Sequence, residues 1–145
     1  MELVIKHFSQ LTIQELYDIL ALRVSVFVAE QDCPYQELDG HDKDAYHVWL
    51  QNDDGIQAYL RVLDKGVTMD EVAIGRVVTR QRRTGLGTKI LNIGIEVAKE
   101  KFVAEKIMLE AQVYAKSLYE KAGFRQVGEE FLEDGIPHIP MLLEV

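Results

Sequence analysis

Apolar side chains change their spacing several times along this chain, and each change marks an element. From residue 13 to 28, IQELYDILALRVSVFV, positions Ile13, Leu16, Tyr17, Leu20, Val24, Phe27 and Val28 recur at helical spacing, and Thr12 with Glu15 forms a capping box ahead of them. A helix is expected there. The next stretch, EQDCPYQELDGHDKDA, is polar, contains Pro34 and Gly40 and keeps no period, so it reads as an ordered loop of a length that often carries function. AYHVWLQ (45–51) and IQAYLRVLD (56–64) are rich in strand formers, and Asn52-Asp53-Asp54-Gly55 between them signals a hairpin. EVAIGRVVT (71–79) is a further strand, in which Gly75 points to a bulge, a close ligand approach or packing beneath a side chain.

From Gly85 the period returns to that of a helix, with Leu86, Ile90, Leu91, Ile93, Val97 and Ala98 on one face and lysines towards the end. KIMLEAQ (106–112) reads as a buried strand, and YAKSLYEKAGF as a helix closed by Gly123. FRQVGEEFL and HIPMLLEV read as closing strands. The order helix, three strands, helix, strand, helix, two strands predicts an α+β fold bordering on α/β. Its mixed sheet has helices on both faces and one parallel crossover through the long helix. With neither repeat nor linker, residues 1–145 form a single domain.

Composition narrows the function. A chain with 48% hydrophobic and 28% charged residues is globular, and no apolar run approaches the roughly 20 residues a membrane span needs. The start, MELVIKHFSQ, is too short and too charged for a signal peptide, so a cytoplasmic protein without a membrane partner is expected. The net charge of -8 opposes binding to nucleic acid. The single Cys33 and four scattered histidines give no metal-site spacing, so no metal is expected. Four of the seven arginines nevertheless fall between Arg76 and Arg83, a local positive island.

That island, RQRRTGLGTKIL, joins a strand to a helix. The first amides of a helix lack acceptors and carry the positive end of the macrodipole, and glycines let a phosphate approach the backbone. Neither Gly-x-x-x-x-Gly-Lys-Ser/Thr nor Gly-x-Gly-x-x-Gly is present, and the loop follows the third strand rather than the first. Arg82, Arg83, Thr84, Gly85, Leu86 and Gly87 instead resemble the pyrophosphate loop of the GNAT superfamily of N-acetyltransferases. EVAIGRVVT before the loop, IMLEAQ after the helix and SLYEKAGF match that superfamily in order. VFVAEQDCPYQELDGHD and EDGIPHIPM are similar to its ElaA-like branch, so the resemblance covers nearly the whole chain.

The resemblance implies a mostly antiparallel sheet whose middle strands splay, acetyl-CoA as co-substrate and an amine acceptor. EVAIGRVVT would be strand four and IMLEAQ strand five. Backbone groups of Val77, Val78 and Thr79 would contact the pantetheine, and amides from Arg82 through Gly87 to Thr88 the pyrophosphate. Tyr119 would lie against the cofactor and give a proton to the leaving thiolate. The base is left open between Glu110, Glu71, Glu30 and a water. The acceptor pocket would draw on Glu30, Gln31, Tyr35, Asp39 and His138, a lining suited to the primary amine of a small molecule or peptide. A non-catalytic acyl-CoA-binding module is the alternative, and superfamily members often pair as homodimers.

Overall fold

The computed structural model describes residues 1–145. Eight strands form one sheet in the order β1-β2-β3-β4-β5-β8-β6, with β7 also on β8. β1 (Glu2–His7), absent from the pattern reading, pairs antiparallel with β2 (Tyr46–Asn52), which forms a hairpin with β3 (Gly55–Leu63). Counting it makes Val72–Thr79 the fourth strand, β4, and Lys106–Gln112 the fifth, β5. The helix between them, α2 (Leu86–Phe102), provides the parallel crossover.

The first helix, α1, spans Ile13–Val24, and its capping box is formed: the Glu15 amide donates to Thr12 Oγ1 at 3.0 Å and the Thr12 amide to Glu15 Oε1 at 2.8 Å. It does not run on to residue 28. Ser25–Glu30 widens into a π-helical segment, and the buried face carries Ile19, Leu22 and Arg23 while Ile13 and Tyr17 are exposed. The apolar spacing misplaced that face: Ile19 and Leu22, which lie outside the expected stripe, are buried, and so is an arginine that such a pattern counts as polar.

The last third also departs from expectation. The stretch read as one strand, FRQVGEEFL, divides into β6 (Arg125–Gln126) and β7 (Phe131–Glu133), and β7 turns tightly into β8 (Ile136–Glu144). Asp134 and Gly135 both have positive φ (52° and 78°), as a type I′ hairpin requires. The third helix, α3 (Lys116–Lys121), is shorter than its sequence pattern and follows a 3₁₀ turn at Val113–Ala115.

Strand alternation builds two cores. Val48, Leu50, Ala58, Leu60 and Ile74 face α2 and α3, whereas Trp49, Tyr59 and Val78 face α1. Helices therefore cover both faces of the sheet. The strand that positions the cleft is β4. Opposite β3 its register shifts by one residue between Gly75 and Val78, so that two residues face Leu60; Arg76 sits in this bulge with φ of 55°. Opposite β5 its pairing ends after Val72–Ile107 and Ala73–Met108, and beyond that point the two strands splay.

Candidate functional site

A cleft of about 1030 Å³ opens where β4 and β5 part. One end lies on the arginine-glycine loop. Gly85 is the N-cap residue of α2, in the left-handed region at φ 79°, and a side chain built there would meet nothing within 4 Å. Gly87 would bring only ordinary contacts with Leu118 and Thr79. These glycines therefore do not answer a packing need; they leave the first amides of α2 open to the cleft. The arginines divide their roles. Arg80 donates through Nε to the Ile56 carbonyl (2.9 Å) and is spent on the sheet, while Arg82 bonds Glu30 (3.0 Å) and lies over the Tyr114 ring. Arg83 lines the cleft with no ion pair, which leaves it the available cation.

Between the ends, Val77, Val78 and Thr79 form the β4 wall, and Tyr119 faces them from α3. The Tyr119 ring is buried, edge-on to Phe124 at 6.1 Å. Its hydroxyl has no protein partner. Arg61 Nε is the one fully buried side-chain polar atom without a hydrogen bond, so the Tyr119 hydroxyl remains reachable from the cleft. Burial, with a smaller contribution from Tyr114, pushes this phenol well above its usual range, so it stays protonated at neutral pH.

At the other end, Glu110, Gln112, Glu133 and His138 from the β5–β7–β8 layer meet Gln31 and Tyr35 from the loop after α1. Gln31 and Gln112 exchange side-chain hydrogen bonds at 3.2 Å. Partial burial at the cleft wall, then the neighbouring Glu133 carboxyl, raises the Glu110 carboxyl to about 7. His138 donates from Nδ1 to the Ile136 carbonyl (2.7 Å) and stacks on Phe131. The Cys33 thiol donates to the Asp134 carbonyl (3.3 Å), which ties the loop to the β7–β8 turn.

The sequence-derived site residues thus gather along one cleft with three exceptions. Glu71 precedes β4 and Glu30 is exposed beside Arg82; neither lines the cleft, and Leu86 packs into the core instead. Asp39 does line it but is already engaged. Arg61 donates to both its oxygens (2.9 and 2.5 Å), and although burial opposes ionisation, this fork and the His41 amide hold its carboxyl well below the usual range.

Asp39 belongs to a closed ring that pattern reading missed. Arg23 bonds Glu37 (2.8 Å) and Asp42 (2.6 Å), and Arg61 bonds Asp42 (2.9 Å) and Asp39. Arg76 bonds Glu37 through Nε, the Glu37 carbonyl at 2.9 Å and Asp39 at 3.5 Å. Three guanidinium groups alternate with three carboxylates, so the ring is neutral. The only sequence signal was the acidic spacing of Glu37, Asp39 and Asp42 in the polar loop, which no local rule connects to arginines on α1, β3 and β4.

The comparisons with known proteins agree with this geometry. The family described as "Acetyltransferase (GNAT) domain" matches residues 9–145. A UPF0039 protein of Schizosaccharomyces pombe is 41% identical, with 100% of this chain and 98% of that one covered. The protein ElaA of Escherichia coli is 37% identical over 96% of this chain and 94% of its own. An acyl-CoA N-acyltransferase from Pseudomonas aeruginosa, 40% identical, superposes with a TM-score of 0.92 over 99% of both chains. A sheet that parts beside a glycine-opened helix, in a chain this similar to ElaA over nearly its full length, places the protein in the GNAT acetyltransferase family, whose members transfer acyl groups from acyl-CoA.

Proposed function

We propose that the protein is an acetyl-CoA-dependent N-acetyltransferase acting on the primary amine of a small molecule or peptide, by direct attack within a ternary complex. One observation carries the reading: a single cleft joins an amide-lined, cationic end to an acidic end, with the free Tyr119 hydroxyl between them. The open amides of Gly87 and Thr88, the Leu86 amide held only by a long bond to Thr84 Oγ1 (3.4 Å) and the unpaired Arg83 suit the pyrophosphate, and Val77–Thr79 the pantetheine. Acetyl-CoA supplies a thioester as the activated acyl group.

The acceptor arrives as an ammonium, because alkyl amines have pKa values near ~10.4, and must lose a proton before attack. Glu110, at about 7, is half ionised near neutrality and can take it, directly or through a water. The amine nitrogen then bonds to the acetyl carbon, the carbon–sulfur bond breaks, and Tyr119 gives its proton to the departing thiolate. The proton left on the new amide nitrogen returns to the phenolate through solvent. Gln31, Tyr35 and His138 line the acceptor end, where a cation is favoured beside Glu110 and Glu133.

The test is release of CoA from acetyl-CoA on incubation with a diamine, a triamine and a short peptide bearing a free amino terminus. Turnover with at least one is expected. Binding of CoA without turnover on any amine would replace this reading with a non-catalytic acyl-CoA module. Failure of CoA to raise the melting temperature would remove both.

A further inference from the structure

The ring of three arginines and three carboxylates is tied to the cleft at one place, the bulge in β4. Arg76 is an L-residue held at φ 55° inside a strand, where glycine is the ordinary occupant. Gly75 before it eases a bulge, but the left-handed residue is Arg76 itself, not the glycine. Its side chain supplies the reason: the guanidinium is anchored by the Glu37 carboxylate and carbonyl and by Asp39, with the Tyr35 ring 6.0 Å away. Glu37 is in turn immobilised by the fully buried Arg23. We infer that Glu37 and Arg76 are positioning residues: the ring holds residue 76 left-handed, and this sets the direction of the Val77–Val78 backbone along the cleft.

Geometry supports a positional rather than a chemical role. Glu37 is 3% exposed and does not line the cleft, so it cannot reach a substrate. Pairing with β5 ends at Ala73, and the bulge lies within the stretch from Ala73 to Thr79 that lines the cleft, so Arg76 itself borders it while its guanidinium is held by Glu37 and Asp39. Whichever way residue 76 turns, the amides after it turn with it. The same anchor fixes the loop carrying Tyr35 and Asp39, so the two walls of the cleft share one point of attachment.

Arg76→Gly and Arg76→Ala remove the same guanidinium and differ only in how readily residue 76 becomes left-handed, which disfavours alanine by about tenfold. Acetyl-CoA turnover with the amine panel is measured for both, together with amide exchange in the 72–79 segment. Because it rests on the acetyltransferase reading only for its turnover arm, the inference is still decided by exchange if the wild type proves inactive. The expected result is a kcat roughly tenfold higher for the glycine variant, at similar KM for acetyl-CoA, with correspondingly slower exchange. Glu37→Gln should lower kcat, and adding Arg76→Gly to it should restore most of the loss. Equal turnover and exchange in the two Arg76 variants would overturn the inference. A collapse of both to the same low rate with native exchange would do so as well, since it would mean that the guanidinium acts on substrate itself.

Discussion

Replacing Arg23 with methionine should lower the melting temperature by about 10 °C. Arg23 is fully buried and donates to both oxygens of Glu37 (3.0, 3.3 and 2.8 Å) and to Asp42 (2.6 Å). Its removal leaves two guanidinium groups against three carboxylates, of which Glu37 and Asp42 are buried. Breaking a buried pair from one side costs ~3–5 kcal/mol, because the remaining charge is desolvated without compensation. Glu37 keeps Arg76 and Asp42 keeps Arg61, so the lower end applies, ~3 kcal/mol. With an unfolding entropy of about 2.1 cal/mol/K per residue, 145 residues give ~0.3 kcal/mol/K, hence the ~10 °C.

A second substitution separates charge balance from lost packing. Arg23→Met with Asp42→Asn restores two cations against two anions, so the double variant should melt above the Arg23→Met single variant. Calorimetric melts at neutral pH, with urea titrations to confirm unchanged cooperativity, give the full double-mutant cycle. A shift under ~3 °C for Arg23→Met would refute the cost assigned to an unbalanced ring. Strict additivity of the two substitutions would refute the coupling.

Tyr119→Phe should reduce kcat by on the order of 10² while leaving CoA affinity nearly unchanged, and undiminished turnover in stopped-flow assays would end its role as proton donor. The acidic limb of kcat/KM should have its midpoint near 7, because Glu110 acts as a base only once ionised. Glu133→Gln should move that midpoint down, yet not as far as the ordinary 4.5, since burial, the larger cause, remains; a limb that stays put would dismiss Glu110 as the base. In stability the sign is the reverse: the fold prefers protonated Glu110, a contribution present below pH 4.5 and lost as pH rises through about 7. Gly85→Asp should leave the fold largely intact, because the side chain meets open space and the left-handed backbone costs an aspartate only about 1 kcal/mol, and abolish CoA binding by calorimetry; normal affinity would sink the loop assignment.

Elements with a clear period were readable from sequence: α2, the β2–β3 hairpin and the crossover to β5 fall where apolar spacing and turn residues put them. The glycines at 85 and 87 were equally plain, because an open helix start is a local feature. Reading failed where tertiary contacts override local preference. β1 is half exposed, so its alternation is weak, and Asp134-Gly135, lying between the two expected closing strands FRQVGEEFL and HIPMLLEV, carries a tight hairpin turn that the strand pattern does not mark. The arginine ring is the deeper case. Its members lie on α1, the 37–42 loop, β3 and β4, and only the fold brings opposite charges from those places together. The same fold commits Asp39, which the resemblance placed at the acceptor, to Arg61.

The short pairing of β4 with β5 makes the sheet two antiparallel leaves joined by a seam of two residue pairs. The leaves are consecutive in sequence: β1 to β4 precede α2, and β5 to β8 follow it. Most backbone bonding is therefore internal to one leaf, and the seam relies on α2 and the core beneath it. An extended ligand lying along the gap would act as a removable strand, bonding to both leaves where they do not bond each other. Adding CoA should then slow amide exchange on both flanks at once, Val77–Thr79 and Glu110–Gln112, and protection of one flank alone would contradict that bridging.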